Sequence, residues 1–239
     1  MLRRMLALVS LIVSGCGVNG TEKADRASAY DEARARMVRE QLAGRDIRDE
    51  RVLEAMARVP RHELVPEAMR GSAYRDGPLP IGEGQTISQP YIVAAMSQAV
   101  ALDGSERVLE VGTGSGYQAA VLSHLAREVY TIELEPTLAA RAKHDLERLG
   151  CENVTTRTGD GYAGWPEAAP FDAIVVTAAP DHVPDALVEQ LAPGGRLVIP
   201  VGTRGGVQSL LLLEKTAEGV VRRNLMPVSF VPLRRDPDD

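Results

Sequence analysis

The sequence predicts an α/β fold: a doubly wound, mostly parallel sheet of seven strands, with helices before it and a β-hairpin at its C-terminal end. Two observations lead to this fold class. From residue 107 onward, short β-branched runs alternate with helical stretches, a pattern that places parallel strands between layers of helices. The first of these runs ends in three alternate glycines, Gly112, Gly114 and Gly116, and a helical pattern follows them.

The residues before the sheet predict two helices and a loop. Helical spacing of apolar residues predicts helices from Tyr30 to Leu42 and from Asp49 to Arg58. Prolines at 60, 66, 78 and 80 then lead into residues 79–91, LPIGEGQTISQPY, where the density of Pro and Gly excludes a core strand or helix. Such a segment is either a substrate-binding lid or a plain connector, and composition leaves both open.

The alternating region supplies the sheet. The predicted strands are Val108 to Val111, Val129 to Leu134, Val154 to Thr158, Ala173 to Val176 and Leu197 to Val201. The predicted helices are Tyr91 to Ala101, Tyr117 to Ala126, Thr137 to Leu149 and Pro184 to Leu191. Two later runs, Val207 to Leu213 and Val228 to Leu233, have no helical pattern between them and therefore predict a hairpin at the sheet edge.

Residues 1–28 predict a signal peptide followed by a flexible tether. Two arginines precede an apolar core from Met5 to Val13, and the Val-Ser-Gly-Cys sequence at 13–16 resembles a bacterial lipobox, which would leave Cys16 as a lipid-modified N-terminus. The apolar core is too short to span a bilayer. Two alternatives stay open: translation that starts at Met5 or Met37, and an uncleaved tail without a role.

We therefore divide the chain into this leader (1–28) and one domain (29–239). Within the domain, 29–101 holds the N-terminal helices and the loop, 102–202 the ligand-binding core, and 203–239 the hairpin. The net charge of −6 disfavours nucleic acid as a partner. The four histidines are scattered and the two cysteines are far apart, so we expect no metal site. No sequence feature argues for more than a monomer.

The glycine turn predicts a nucleotide-type ligand. Alternate glycines let the backbone take positive φ and let a ligand lie against main-chain N–H groups. A dinucleotide fingerprint needs glycines at positions one, three and six, and the sixth position from Gly112 is Tyr117. With Glu110 before the turn and Glu133 ending the next strand, the spacing favours S-adenosylmethionine over NAD, while a turn without a ligand stays open.

Further candidates follow from strand ends. Ligands of open α/β sheets bind at the carboxyl ends of the strands, beside the topological switch point. Glu133 lies at the end of the second strand, where a carboxylate can accept hydrogen bonds from ribose hydroxyls. Asp160 and Gly161 follow the third strand, where the acid can reach an adenine amino group.

Six blocks occur in a fixed order between about residue 33 and the C-terminus. They are PLPIGEGQTISQPY (78–91), VLEVGTGSGYQAAVL (108–122), GDGYAGWP (159–166), PFDAIVVTAAP (170–180), LAPGGRLVIPVG (191–202) and FVPL (230–233). Together they resemble the protein-L-isoaspartate O-methyltransferase family. The resemblance implies a class I, Rossmann-like methyltransferase fold, S-adenosylmethionine as methyl donor, and isoaspartyl residues of damaged proteins as acceptors, whose methyl esters then collapse towards repaired aspartate.

The resemblance also implies roles for particular residues. The family serine falls on Ser88 as the catalytic residue, and residues 230–233 would frame the peptide site. The donor-binding residues would be Glu110, Gly112, Gly114, Gly116, Glu133, Asp160 and Gly161. Structural alternatives remain: Ser88 could cap the next helix, and Phe230 could belong to the core.

Other functions stay open on sequence alone. The domain could be an exported, inactive binding module, or a methyltransferase with another acceptor. A dehydrogenase would need a catalytic His or a Tyr-Lys pair, which we do not find. The lipobox predicts a membrane-anchored protein that faces the periplasm, where S-adenosylmethionine is not made; an unused or misassigned leader predicts the cytoplasm.

Overall fold

The computed structural model describes residues 28–203 and 205–235. The predicted leader, including Cys16, lies outside these residues. Within them, no helix is both long enough and apolar enough to cross a membrane.

Helices form the N-terminal part, as the sequence predicts. Helix α1 covers 28–36 and passes into a π-helical turn at Met37–Ala43. Helix α2 (Glu50–Arg58) begins where the Asp49 carboxylate accepts hydrogen bonds from two backbone N–H groups of its first turn. Two 3₁₀ turns, Arg61–Glu63 and Glu67–Ser72, lead to the loop region.

The Pro- and Gly-rich segment folds into a small hairpin. Strands β1 (Leu79–Gly82) and β2 (Gln85–Ile87) pair antiparallel and form a separate two-stranded sheet. Proline is tolerated here because neither strand has a neighbour on both sides. Helix α3 (Pro90–Val100) follows directly, so in the sequence the hairpin lies between the N-terminal helices and the strands of the main sheet.

Seven strands form the main sheet in the order β5-β4-β3-β6-β7-β8-β9, in which β3 to β7 are parallel and the last two are antiparallel. The strands are β3 (Arg107–Val111), β4 (Glu128–Glu133), β5 (Val154–Thr158), β6 (Phe171–Val176), β7 (Leu191–Val201), β8 (Gln208–Thr216) and β9 (Gly219–Val228). The helices between them are α4 (Tyr117–Ser123), α5 (Pro136–Arg148) and α6 (Asp185–Glu189). Because β3 pairs with both β4 and β6, the switch point lies at its carboxyl end.

Three sequence predictions are wrong in position. The second hairpin strand is β9, not residues 228–233, because polar residues in this exposed edge strand conceal the strand pattern. Residues 229–235, which we call the C-terminal strap, leave the sheet and run to the switch point. Strand β7 begins at Leu191 rather than at Leu197, because an irregular pairing with β6 accommodates the Pro-Gly-Gly sequence. Helix α6 therefore ends before Leu191 and is shorter than predicted.

The sheet is buried on both faces. Ala173 and Val175 of β6 join one hydrophobic cluster, while Ile174 and Val176 join the other. This alternation places helices against both faces of the strand, as a doubly wound fold requires. The first cluster also contains Met37 of the π turn, so the N-terminal helices and the sheet share one core.

Candidate active site

A cleft opens at the carboxyl end of β3 and encloses about 720 Å³, including the part open to solvent. Its lining comes from the end of the β1–β2 hairpin, α3, the end of β3 with the turn into α4, the end of β4, the residues after β5 and after β6, and the strap. It therefore lies at the switch point that the sequence predicts.

The glycine turn forms the floor of the cleft. Gly112, Gly114 and Gly116 have φ of +96°, +52° and +80°, which side chains other than glycine rarely adopt. A Cβ on Gly112 would also lie 2.5 Å from the Oγ1 of Thr177, whose hydroxyl donates to the Gly112 carbonyl. The N–H groups of Gly112, Thr113 and Gly116 donate to backbone carbonyls and fix the turn further, while the Gly114 N–H donates to a neighbouring acid.

Glu133 is held by this turn. One carboxylate oxygen accepts from the Gly114 N–H at 2.8 Å, and the other accepts from the Glu135 N–H at 3.0 Å. Each oxygen keeps a second lone pair. The side chain lines the cleft and is 8% exposed, so the carboxylate is already oriented towards a ligand's hydroxyl groups.

Glu110 is fully buried beside the same turn. One of its oxygens accepts from the Thr131 hydroxyl at 2.5 Å, and that hydroxyl also bonds to Thr113. Burial, together with the nearby Glu133 carboxylate, raises the pKa of Glu110 to about 8. Its other oxygen has no hydrogen-bond partner among the described residues, although the side chain lines the cleft.

Gln118 presents a second unsatisfied acceptor to the cleft. Its side-chain N–H donates to Ser97 at 2.9 Å, while its buried Oε1 has no partner within the described part of the chain. Buried acceptors are normally satisfied, so two of them in one cleft indicate a ligand that carries hydrogen-bond donors. Gln118 and Thr177 carry no local sequence signal and become recognisable only once the order of the strands is known.

Gly161 and Asp160 have different positions. Gly161 lines the cleft, and a Cβ there would lie 2.4 Å from a Val111 methyl group, so the close packing requires glycine. Asp160 is not among the lining residues; its carboxylate accepts from the Tyr162 N–H at 2.8 Å. The acid thus shapes the turn that presents Gly161.

A second cavity joins the cleft at Ser88 and Thr86, which line both. Its lining residues are Pro78, Thr86, Ser88, Gln89, Ile92, Pro227, Val228, Ser229 and Phe230. None of these described residues is charged. Ser88 does not cap α3, because the N-cap residue of that helix is Gln89 and no side chain caps it. Phe230 contacts the core as well as the cavity.

The strap forms a wall of both cavities. Gln208 holds Phe230 by accepting from its N–H at 2.6 Å and donating to its carbonyl at 3.1 Å. Further along, the Ala179 N–H donates to Val231 and the Leu233 N–H donates to Ala179. An ion pair between Arg234 and Glu135, at 3.7 Å, fastens the strap beside Glu133.

Comparison with known proteins agrees with this architecture. The sequence model of protein-L-isoaspartate(D-aspartate) O-methyltransferase matches residues 32–237. The chain belongs to this family. It is 58% identical over 233 residues to protein-L-isoaspartate O-methyltransferase 2 of Anaeromyxobacter sp., covering 96% of each chain. It is 54% identical to the protein-L-isoaspartate O-methyltransferase of Opitutus terrae, covering 98% of this chain and 99% of that one.

Solved structures extend the comparison. A protein-L-isoaspartate O-methyltransferase structure matches with a TM-score of 0.75 and 32% identity, covering 83% of this chain and 65% of that one. A structure from Plasmodium falciparum, described as a family member in complex with S-adenosyl-L-homocysteine, matches with a TM-score of 0.73 and 26% identity, covering 85% of this chain and 99% of that one. The family's class I methyltransferase fold is therefore confirmed. In the described residues, no three His, Cys, Asp or Glu side chains are grouped as a metal site would require.

Proposed function

We propose that the chain transfers a methyl group from S-adenosylmethionine to the α-carboxylate of L-isoaspartyl residues in damaged proteins. One observation supports this function: a cleft with unsatisfied buried polar atoms meets a second cavity, lined by uncharged residues, at Ser88 and Thr86. Methyl transfer needs two substrates in contact at one point, and the junction provides that point.

The cleft fits the donor. The positive ammonium group of its methionine part would favour the ionised form of Glu110, and Glu110 and Gln118 would accept hydrogen bonds from it. The free lone pairs of Glu133 would accept from the ribose hydroxyls, and the turn around Gly161 would lie beside the base. The donor supplies a methyl group on a sulfonium, which is intrinsically activated towards nucleophiles.

The acceptor needs orientation rather than a base. An isoaspartyl α-carboxylate is ionised near neutral pH, so no proton must be removed before an oxygen forms a bond to the methyl carbon. The carbon–sulfur bond breaks as the new bond forms, and its electron pair stays on sulfur. Ser88 would donate to one carboxylate oxygen and thereby aim the other at the methyl group. Holding reactants in such a geometry contributes about 7–11 kcal/mol.

Transfer of labelled methyl tests the function. The full chain is incubated with labelled S-adenosylmethionine and either an isoaspartyl peptide or the same peptide with normal aspartate. We expect only the isoaspartyl peptide to be labelled. If the protein binds the donor but labels neither peptide, isoaspartate is rejected as the acceptor. If the protein does not bind the donor, the inactive binding module is favoured.

We further propose that the leader exports the domain and that Cys16 anchors it to a membrane facing the periplasm. Support comes from the basic start, the short apolar core and the Val-Ser-Gly-Cys sequence at 13–16. Such an enzyme would need donor supplied outside the cytoplasm. Fractionation of cells that express the wild type or Cys16→Ser tests this: the wild type should be in the membrane fraction and the variant should be soluble. A soluble wild type would reject the anchor and favour the cytoplasm.

We also propose that the enzyme acts as a monomer, since residues of one chain line both cavities. Sedimentation of the detergent-solubilised chain should give the mass of a single copy. A stable dimer at assay concentrations would contradict this.

A further inference from the structure

Arg61 is fully buried, yet no carboxylate within residues 28–203 and 205–235 forms a salt bridge with it. Its Nε donates to the Ala73 carbonyl at 2.7 Å and one Nη donates to the Gly77 carbonyl at 3.3 Å, while the other Nη has no partner there. Burial lowers its pKa to about 10, so the group stays charged at neutral pH. Burying such a charge is unfavourable by several kcal/mol, and its location requires a reason.

One set of contacts connects Arg61 to the acceptor side. The two carbonyls that it binds bracket Asp76, whose carboxylate accepts from the Gln89 side-chain amide at 2.9 Å and from the Tyr91 N–H at 3.3 Å. Gln89 and Tyr91 lie on either side of Pro90, directly after Ser88. Arg61 thus holds the segment that in turn holds the backbone around Ser88.

Another contact connects Arg61 to the donor side. Its guanidinium carbon lies 4.6 Å from the centre of the Tyr117 ring. Tyr117 is 2% exposed, follows the glycine turn as the first residue of α4, and lines the donor cleft. A guanidinium over an aromatic face is attracted by the ring, so the same side chain touches both halves of the site.

We propose that Arg61 is a positioning residue that sets the Ser88 hydroxyl relative to the donor cleft. The kinetic part of this proposal rests on the proposed function, whereas the mechanical link to residues 85–91 does not. Lysine keeps the charge but lacks the planar fork that reaches two carbonyls and stacks on a ring, so Arg61→Lys separates positioning from charge alone.

A double-mutant cycle tests the kinetic part. Arg61→Lys should lower kcat/KM for an isoaspartyl peptide about tenfold in the wild-type background, but less than about twofold in the Ser88→Ala background, because the two residues act through one contact chain. If Arg61 were merely structural, the losses of kcat/KM caused by Arg61→Lys and by Ser88→Ala would multiply in the double variant. Such a multiplication would overturn the proposal.

Arg51 provides a matched control. It is partly buried, its guanidinium donates to the carbonyls of Leu102 and Leu125, and it lines neither cavity. Arg51→Lys should lower the melting temperature by an amount similar to Arg61→Lys while kcat/KM stays within about twofold of the wild type. An equal loss of kcat/KM in both variants would assign Arg61 to general stability and overturn the proposal.

Hydrogen exchange gives a readout that needs no acceptor. Backbone amides in residues 85–91 should exchange about tenfold faster in Arg61→Lys than in the wild type or in Arg51→Lys, while those of α5 stay unchanged. Asp76→Ala breaks the same chain of contacts at its next residue and should also speed exchange in residues 85–91. It therefore tests the proposal even if Arg61→Lys does not fold. Unchanged exchange in both variants would overturn the proposal, whereas absent methyl transfer by the wild type would reject only the proposed function.

Discussion

At the residue scale, Glu110 makes the stability of the folded protein depend on pH. Its carboxyl is buried and its pKa is raised from 4.5 to about 8, so the folded protein binds a proton that the unfolded chain releases near pH 4.5. The contribution of Glu110 to stability is therefore full below about pH 4.5 and is lost as the pH rises towards 8.

Glu110→Gln should remove this dependence. Because Gln cannot ionise, the free energy of unfolding of the wild type relative to the variant should decrease between pH 5 and pH 8. Denaturant unfolding of both proteins at several pH values, without donor, measures the difference. A pH-independent difference would show that Glu110 is ionised in the folded state across this range.

Ser88 lies, with Thr86, where the two cavities meet. Ser88→Ala should reduce kcat/KM for the isoaspartyl peptide by about tenfold to a hundredfold, the effect of one hydrogen bond to a charged group. The donor Kd should stay within about twofold. Calorimetry of donor binding beside steady-state kinetics separates the two quantities, and unchanged turnover would remove Ser88 from the mechanism.

At the element scale, the strap depends on Gln208. Its side chain is 4% exposed and makes both hydrogen bonds to the backbone of Phe230. Gln208→Ala should lower stability by about 1–3 kcal/mol and weaken donor binding, because residues 231–234 form one wall of the donor cleft. Thermal unfolding and donor titration measure the two effects.

Gln98 is the matched control for this variant. Its side chain makes the same kind of backbone hydrogen bonds, to residues 46, 48 and 49, and it lines neither cavity. Gln98→Ala should therefore reduce stability without changing the donor Kd. If both variants bind the donor as the wild type does, the strap does not contribute to donor affinity.

Sequence patterns located the local parts of the site and missed the parts that packing creates. Glu133 and the glycine turn were predictable because strand ends and alternate glycines can be recognised from a few consecutive residues. Thr177, Gln118 and Arg61 were not, since the partners through which they act lie 65, 21 and 12 residues away. The strap was misassigned because Val-Pro-Leu after an edge strand has the composition of another strand.

At the scale of the whole molecule, the N-terminal helices and the sheet share one hydrophobic cluster, which includes both Met37 and Val198. The domain should therefore unfold in a single two-state transition, with equal calorimetric and van't Hoff enthalpies. Differential scanning calorimetry measures both. Two resolved transitions would divide the predicted domain at 29–239 into independent units.

The described residues that line the cavity beside Ser88 carry no charge, which bears on the proteins that the enzyme can act on. With Pro78, Pro227 and Phe230 on its walls, the cavity offers little that could distinguish one neighbouring sequence from another. If Ser88 orients the acceptor carboxylate as proposed, a damaged residue reaches it on a stretch of chain that has come loose from its own fold. Local unfolding of the client protein then decides which isoaspartyl residues are methylated. Those in flexible loops and termini react first, and those in rigid segments stay unrepaired.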